Sequence, residues 1–211
     1  MGIVDDIRIL AARYAKQLKV QIARRVEEME QDDTSYYLIY TVLGISNAEG
    51  KRIDVYQNKG RFLYNYAGKF LENAAKLCFN YKFPTASNLR IPNTVGSRPR
   101  TFEIDCVIDK DAIELKWRDA TTDGDHITKE HTRVKVISKA GYVPVRVMFY
   151  YPNRGQAMRI QEAIQAIYRD LNGQYYHSDD AWTYIQAKTT VDLKGILEAL
   201  AKEQEAKKHE S

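Results

Sequence analysis

The chain has 211 residues, of which 44% are hydrophobic and 28% charged, and this composition is ordinary for a soluble globular protein. A formal net charge of +4 permits nucleic acid as a partner but does not require it, and the two distant cysteines, Cys78 and Cys106, argue against a disulfide framework or a zinc site and suggest buried free thiols. The chain has no apolar run near the ~20 residues of a membrane span and no leader-like N-terminus, so we expect a cytoplasmic protein without a membrane partner.

The first part of the chain is predicted to be helical. Apolar residues recur every three or four positions over about 5–30, which is typical of a long amphipathic helix. Its nearly heptad spacing leaves open whether the apolar face packs on a core or on a second copy. A second helix is predicted over 36–45, a loop over 46–50, and a third helix over about 60–79, before Pro84.

Strand patterns begin after Pro84. Residues 88–100 contain prolines and arginines and are predicted to be irregular chain or an edge strand. Two alternating runs joined by a polar turn at 109–111 predict a hairpin. The expected elements are hairpin strands over 101–108 and 112–117, a helix over 126–140, a strand over 142–151, a helix over 155–171 and two helical pieces over 179–207.

This order of elements predicts the fold class and its divisions. Helices before and after a few strands indicate an α/β fold with a small mixed sheet flanked by helices on both faces, and with extra N-terminal and C-terminal helices. We expect a single domain over 1–211. Its parts would be a helical N-terminal part over 1–83, a sheet core over 84–175 and C-terminal helices over 176–211.

The predicted hairpin carries a group of charged residues that suits catalysis. Glu114 and Lys116 are two residues apart on one strand, so their side chains point to the same face. Pairing across the turn can bring Asp105 near Glu114, depending on the register. Two carboxylates suit Mg²⁺, and a lysine beside them can orient or deprotonate a water molecule. The alternative is a surface strand that carries an ordinary Glu–Lys pair.

The spacing of these residues resembles a known nuclease motif. Ile104-Asp105, eight intervening residues and Glu114-Leu115-Lys116 look like the motif of the PD-(D/E)XK nucleases, of which type II restriction endonucleases are the best-known members. Ile104 stands where the usual proline precedes the aspartate. The resemblance implies that Asp105 and Glu114 hold Mg²⁺, that a backbone carbonyl near Leu115 is a further ligand, and that Lys116 assists the attacking water.

The resemblance extends beyond the hairpin. Many relatives carry an extra glutamate on a preceding helix near the metal, and Glu72 corresponds to it. The order helix, hairpin, helix, strand, helix resembles the superfamily core, which implies a restriction-endonuclease-like fold. The segments 119–133 and 56–64 are similar to the ApaLI-type family.

A DNA-contacting surface is predicted from the polar segment after the hairpin. Residues 118–133 are dense in side chains that donate and accept hydrogen bonds, as groove recognition requires, and two arginines before the hairpin are candidates for phosphate contacts. The candidate DNA-binding residues are Arg98, Arg100, Arg118, Asp119, Thr121, Thr122, Asp123, His126, Lys129 and Arg133.

The predicted function is that of a type II restriction endonuclease. Such an enzyme would hydrolyse double-stranded DNA with Mg²⁺ at a short specific site, and a palindromic site would be matched by a homodimer. One alternative is a structure-specific repair or recombination nuclease of the same superfamily, which would prefer junctions to linear duplex. Another is a non-catalytic DNA-binding module, which would bind DNA equally well without Mg²⁺ and never cut it.

Overall fold

The computed structural model describes residues 2–119, 121 and 123–209. Its backbone contacts divide the chain into two compact units: one contains the chain up to Ile7 and from Leu71 onward, and the other is Arg8–Phe70. That the whole chain acts as one nuclease domain stays a prediction.

The N-terminal helices are α1 (Ile3–Glu30), α2 (Tyr37–Val42) and α3 (Asn47–Lys82). The loop predicted at 46–50 is wrong, because α3 already begins at Asn47. Ser46 caps this helix: its hydroxyl accepts the backbone N–H of Glu49 at 3.3 Å, and its carbonyl accepts that of Gly50 at 2.8 Å. The polar residues that suggested a loop therefore start a helix of 36 residues.

Side chains of α1, α2 and α3 pack together within the Arg8–Phe70 unit. The ring of Tyr14 meets the rings of Tyr66 and Phe70 edge-on, with centroids 6.1 Å and 6.0 Å apart. The buried carboxylate of Asp54 on α3 accepts hydrogen bonds from the hydroxyls of Tyr36 at 2.7 Å and Tyr40 at 3.1 Å. Aromatic contacts and hydrogen bonds to the buried carboxylate of Asp54 thus help to stabilise this unit.

The unit that includes the chain from Leu71 onward, here called the sheet unit, contains a five-stranded mixed sheet in the order β1-β2-β3-β4-β5. Neighbours pair antiparallel from β1 to β3 and parallel from β3 to β5, which confirms the predicted mixed sheet and the hairpin. The strands are β1 (Ser87–Pro92), β2 (Thr101–Ile108), β3 (Asp111–Arg118), β4 (Val143–Tyr150) and β5 (Gln174–His177).

Two details of the sheet differ from the prediction. The hairpin turn is one residue shorter, since β3 starts at Asp111 and Asp109 takes the left-handed conformation with φ 52°. The short strand β5 was not predicted. Its four residues pair with β4, and such a short segment has too few residues for a recognisable alternation.

Helices cover both faces of the sheet, as predicted. The remaining helices are α4 (Asp125–Lys139), α5 (Gly155–Asp170), α6 (Asp179–Thr189) and α7 (Leu193–His209). Arg146 and Phe149 of β4 are three residues apart and point to opposite faces. Arg146 contacts Glu130 of α4, and the ring of Phe149 lies 4.5 Å from that of Trp182 of α6. None of the described helices is long and apolar enough to cross a membrane.

Candidate active site

Asp105 lies in β2 where the strand pairing is irregular. Ser87 pairs with Val107 and Leu89 with Ile104, so β2 advances three residues while β1 advances two, as in a β-bulge. A bulge changes the direction in which side chains point and disrupts the local hydrogen bonding between the strands. The Asp105 carboxylate then accepts a hydrogen bond from the backbone N–H of Leu115 on β3 at 2.9 Å. The sequence could not fix the register, but the structure brings Asp105 beside β3.

Glu114 is the most deeply placed acid of the motif, with its side chain 4% exposed. Its Oε1 lies 2.7 Å from Nζ of Lys116, and its Oε2 lies 2.5 Å from Nη1 of Arg133. The Arg133 contact is an ion pair without the angles of a hydrogen bond. Burial opposes the charge on Glu114, but Lys116 and Arg133 outweigh it and hold the pKa of Glu114 below its ordinary value.

Lys116 points to the same face of β3 as Glu114, as its spacing predicts. Its side chain is 29% exposed. Burial opposes its charge, but Glu114 and Asp105 overcome this effect and raise the pKa of the Lys116 ammonium above its ordinary value. Lys116 is therefore a cation in this arrangement, able to donate hydrogen bonds and to neutralise negative charge.

Glu72 and Lys76 bring α3 to the same site. Nζ of Lys76 donates to Oδ1 of Asp105 at 2.9 Å. Burial raises the pKa of Glu72; Lys116 offsets this rise, whereas the negative charges of Asp105 and Glu114 add to it. The charges of Asp105, Glu114 and Lys116 all act on Glu72, and its role as the further glutamate of the site stays a prediction.

The donor set suits a hard divalent cation. Mg²⁺ is usually held by one or two carboxylates and keeps water ligands. Asp105 and Glu114 supply two carboxylates on neighbouring strands, and Asp105 is tied to the β3 backbone at Leu115. Among the residues that the structure describes, no three His, Cys, Asp or Glu side chains form a metal site by themselves. The arrangement therefore fits a cation that completes its coordination with water and substrate oxygens.

A chain of buried charges extends from Glu114 into the sheet. Arg133 also contacts Glu130, with Nε 3.3 Å from Oε1. Glu130 accepts a hydrogen bond at 3.0 Å from Arg146, which is fully buried, and Arg146 donates a second one to Asp119 at 2.7 Å. Burial opposes the charge of both groups, but Glu130 raises the pKa of Arg146, and the hydrogen bond with His126 together with the charge of Arg146 lowers the pKa of Asp119.

The candidate DNA-binding residues fall into two groups by exposure. The exposed ones are Arg98, Arg100, Arg118, Asp123 and Lys129. The partly buried ones are Asp119, Thr121, His126 and Arg133. Thr122 lies outside the described residues. Asp119 is engaged by Arg146 and by Nε2 of His126 at 2.8 Å, and Arg133 by Glu114 and Glu130.

A surface cleft brings some of the exposed candidates together. It has a volume of about 480 Å³. Arg98 comes from the chain between β1 and β2, and Lys129 from the first half of α4. The residues that line the cleft are Arg98, Pro99, Asp125, Thr128, Lys129 and Thr132. The cleft thus brings together Arg98 and Lys129, which are 31 positions apart in the sequence, beside the carboxylate of Asp125.

Lys76, Glu130 and Arg146 were not predicted as part of the site. Arg146 left a signal, because a charged residue inside the apolar run Val143–Tyr150 requires a buried partner. Lys76 follows Glu72 by four residues on α3 and so lies on the same helix face. Glu130 left no comparable signal, since a glutamate in a polar helix is normally solvated.

The family of the chain follows from a comparison with known protein families. The model of the ApaLI-like restriction endonucleases matches residues 1–202. No curated protein matches the chain, and no solved structure does. Because the family match covers almost all of the 211 residues, the chain belongs to the ApaLI-like restriction endonuclease family.

Proposed function

We propose that the protein is a type II restriction endonuclease of the PD-(D/E)XK kind. It would hydrolyse phosphodiester bonds of double-stranded DNA, with Mg²⁺, at a short palindromic site. The convergence of Asp105, Glu114 and Lys116 on neighbouring strands, in a chain of a restriction endonuclease family, carries this proposal. The twofold symmetry of a palindrome is matched by a homodimer with two equivalent active sites, so the proposal includes a homodimer, which would act in the cytoplasm.

Each residue of the site has a proposed role. Asp105 and Glu114 would hold Mg²⁺, together with the backbone carbonyl of Leu115. When bound, Mg²⁺ would acidify water and stabilise charge on the phosphoryl oxygens. Lys116 would orient the attacking water and neutralise the charge that develops in the transition state. Glu72 would act as a further ligand or would accept a hydrogen bond from water in the site.

We propose that DNA is contacted by the exposed members of the predicted set. Arg98 and Lys129 line one cleft, and guanidinium and ammonium groups suit phosphate oxygens. Arg100, Arg118 and Asp123 are exposed nearby in the sequence. Asp119 and Arg133 are instead assigned to the buried charge chain, because their side chains are each only 12% exposed and face opposite charges.

The substitution Glu114→Gln tests the metal-dependent chemistry. It keeps the size of the side chain and removes the charge that would bind Mg²⁺. We expect cleavage of plasmid DNA in Mg²⁺ to fall at least ~100-fold, and wild-type cleavage to stop in EDTA. Agarose gels of timed digests measure both.

Glu103→Gln is the matched control, because Glu103 lies on β2, is exposed, and pairs only loosely with Arg90 at 3.5 Å. It should cut like the wild type. Thermal melting of each variant establishes that it is folded. Equal cleavage by wild type and a folded Glu114→Gln variant would contradict the proposed site, and intact DNA under every condition would contradict the function.

A further inference from the structure

Arg133 lies on α4, and the side chains of Glu114, Glu130 and Phe102 surround it. Its Nη1 lies 2.5 Å from Oε2 of Glu114 and its Nε lies 3.3 Å from Oε1 of Glu130. Its guanidinium carbon lies 5.4 Å from the ring centre of Phe102. With its side chain only 12% exposed, Arg133 faces the site carboxylate and not the solvent. The Arg133 guanidinium is therefore fixed in position relative to Glu114.

The partner that fixes Arg133 is itself fixed. Glu130 has a side chain 2% exposed and is hydrogen-bonded to Arg146, which is fully buried on β4. Arg146 is anchored in turn by Asp119 at the end of β3. Charges alternate along this chain, from Glu114 through Arg133, Glu130 and Arg146 to Asp119.

The cost of burying these charges argues for a specific role. Replacing a buried ion-pair network by apolar residues is often neutral or even stabilising, so stability alone does not account for five charged residues here. The network ends on Glu114, whose second oxygen faces Lys116. Residues that contact a metal-ligating side chain, without binding the metal themselves, commonly fix the orientation of that side chain and affect the affinity of the site for the metal.

We propose that Arg133 is a positioning residue for Glu114 and that Glu130 and Arg146 hold it in place. This inference rests on the proposed function, since it assigns Glu114 to the metal. Arg133 contacts Oε2 of the Glu114 carboxylate and so leaves Oε1 directed toward Lys116. A planar guanidinium can contact two carboxylates at once, whereas the single ammonium of lysine is a compact point charge on a flexible stem.

The variants Arg133→Lys and Arg133→Met test this role, with Lys139→Met as control. Lys139 is exposed in the last turn of α4. Three quantities are measured on the full chain: Mn²⁺ affinity by calorimetric titration, DNA affinity in EDTA, and the single-turnover cleavage rate in Mg²⁺. We expect Arg133→Lys to lower Mn²⁺ affinity and cleavage rate by ~10–100-fold and to leave DNA affinity unchanged. Arg133→Met should lower Mn²⁺ affinity and cleavage rate further, and Lys139→Met should match the wild type.

These measurements test the positioning of Glu114 by Arg133 separately from the proposed nuclease function. Folded Arg133 variants with wild-type Mn²⁺ affinity and cleavage rate would overturn the inference, as would a loss of DNA affinity alone. If Arg133→Met does not fold, the Mn²⁺ affinity and cleavage rate of Arg133→Lys alone support or overturn the inference. If the wild type binds Mn²⁺ but cuts no DNA, the proposed function fails, and the Mn²⁺ affinity of Arg133→Lys still supports or overturns the positioning of Glu114.

Discussion

At the scale of single residues, burial determines how the two cysteines react. Cys78 is fully buried and Cys106 is 2% exposed. Burial raises the pKa of Cys78 to about 12 and that of Cys106 to about 11. A raised thiol pKa favours the neutral form, so the reactive thiolate of each cysteine is scarcer than in an unfolded chain.

We therefore expect neither thiol to react with a disulfide reagent such as dithiobisnitrobenzoate in the native protein at pH 8. Both should react once guanidinium unfolds the chain. Absorbance of the released thiolate counts the reacted groups. Rapid reaction of one thiol in the native state would mean that its surroundings are open to solvent.

The residues of the candidate site differ in how far the sequence could reveal them. The same-face placement of Glu114 and Lys116 follows from the two-residue period of a strand, so their spacing was sufficient. The approach of Asp105 depends on a register and on a bulge, which a single sequence does not specify. Arg133 was predicted for DNA because it ends a polar segment. Its contact with Glu114 arises only when α4 packs on the sheet.

At the scale of elements, buried charges join α4 to β4. Removing Arg146 leaves Glu130 without its closest partner and deprives Asp119 of one of its two side-chain partners, the other being His126. Breaking a buried pair from one side costs about 3–5 kcal/mol. We expect Arg146→Met to lower the free energy of unfolding by that amount, as measured by urea denaturation.

Two comparisons sharpen this prediction. The double variant Arg146→Met with Glu130→Met should be less destabilised than Arg146→Met alone, because it leaves fewer unpaired buried charges. Arg169→Met on α5 is the matched control, since Arg169 is 78% exposed and pairs only with Asp170 at the surface. Wild-type stability of the single Arg146→Met variant would mean that the network does not support the packing of α4.

Long periodic elements were predictable, and element boundaries and short elements were not. The repeating apolar positions of α1 and the alternation in β2 and β3 left clear signals. Ser46 was ambiguous, because serine favours both loops and helix caps, and only the hydrogen bond to Glu49 decides between them. The four residues of β5 depend on pairing with β4, which is a tertiary contact.

At the scale of the whole molecule, family and site point to the same chemistry from separate observations. The family match extends over residues 1–202 and does not depend on any one side chain. The site rests on Asp105, Glu114 and Lys116, whose contacts follow from the fold of the sheet unit. The mixed sheet and its helices were predictable from the order of elements, whereas the division at Ile7 and Leu71 was not, because α3 is one continuous helix across that boundary.

The most direct test of the central claim is to sequence the DNA ends produced from phage DNA in Mg²⁺ by the wild type and by Lys116→Ala. Lys110→Ala is the matched control, since Lys110 is exposed in the turn of the same hairpin. We expect ends at one short palindromic sequence for the wild type and for Lys110→Ala, and none above background for Lys116→Ala. Ends that persist unchanged in Lys116→Ala, or no ends for the wild type, would contradict the proposed site and function.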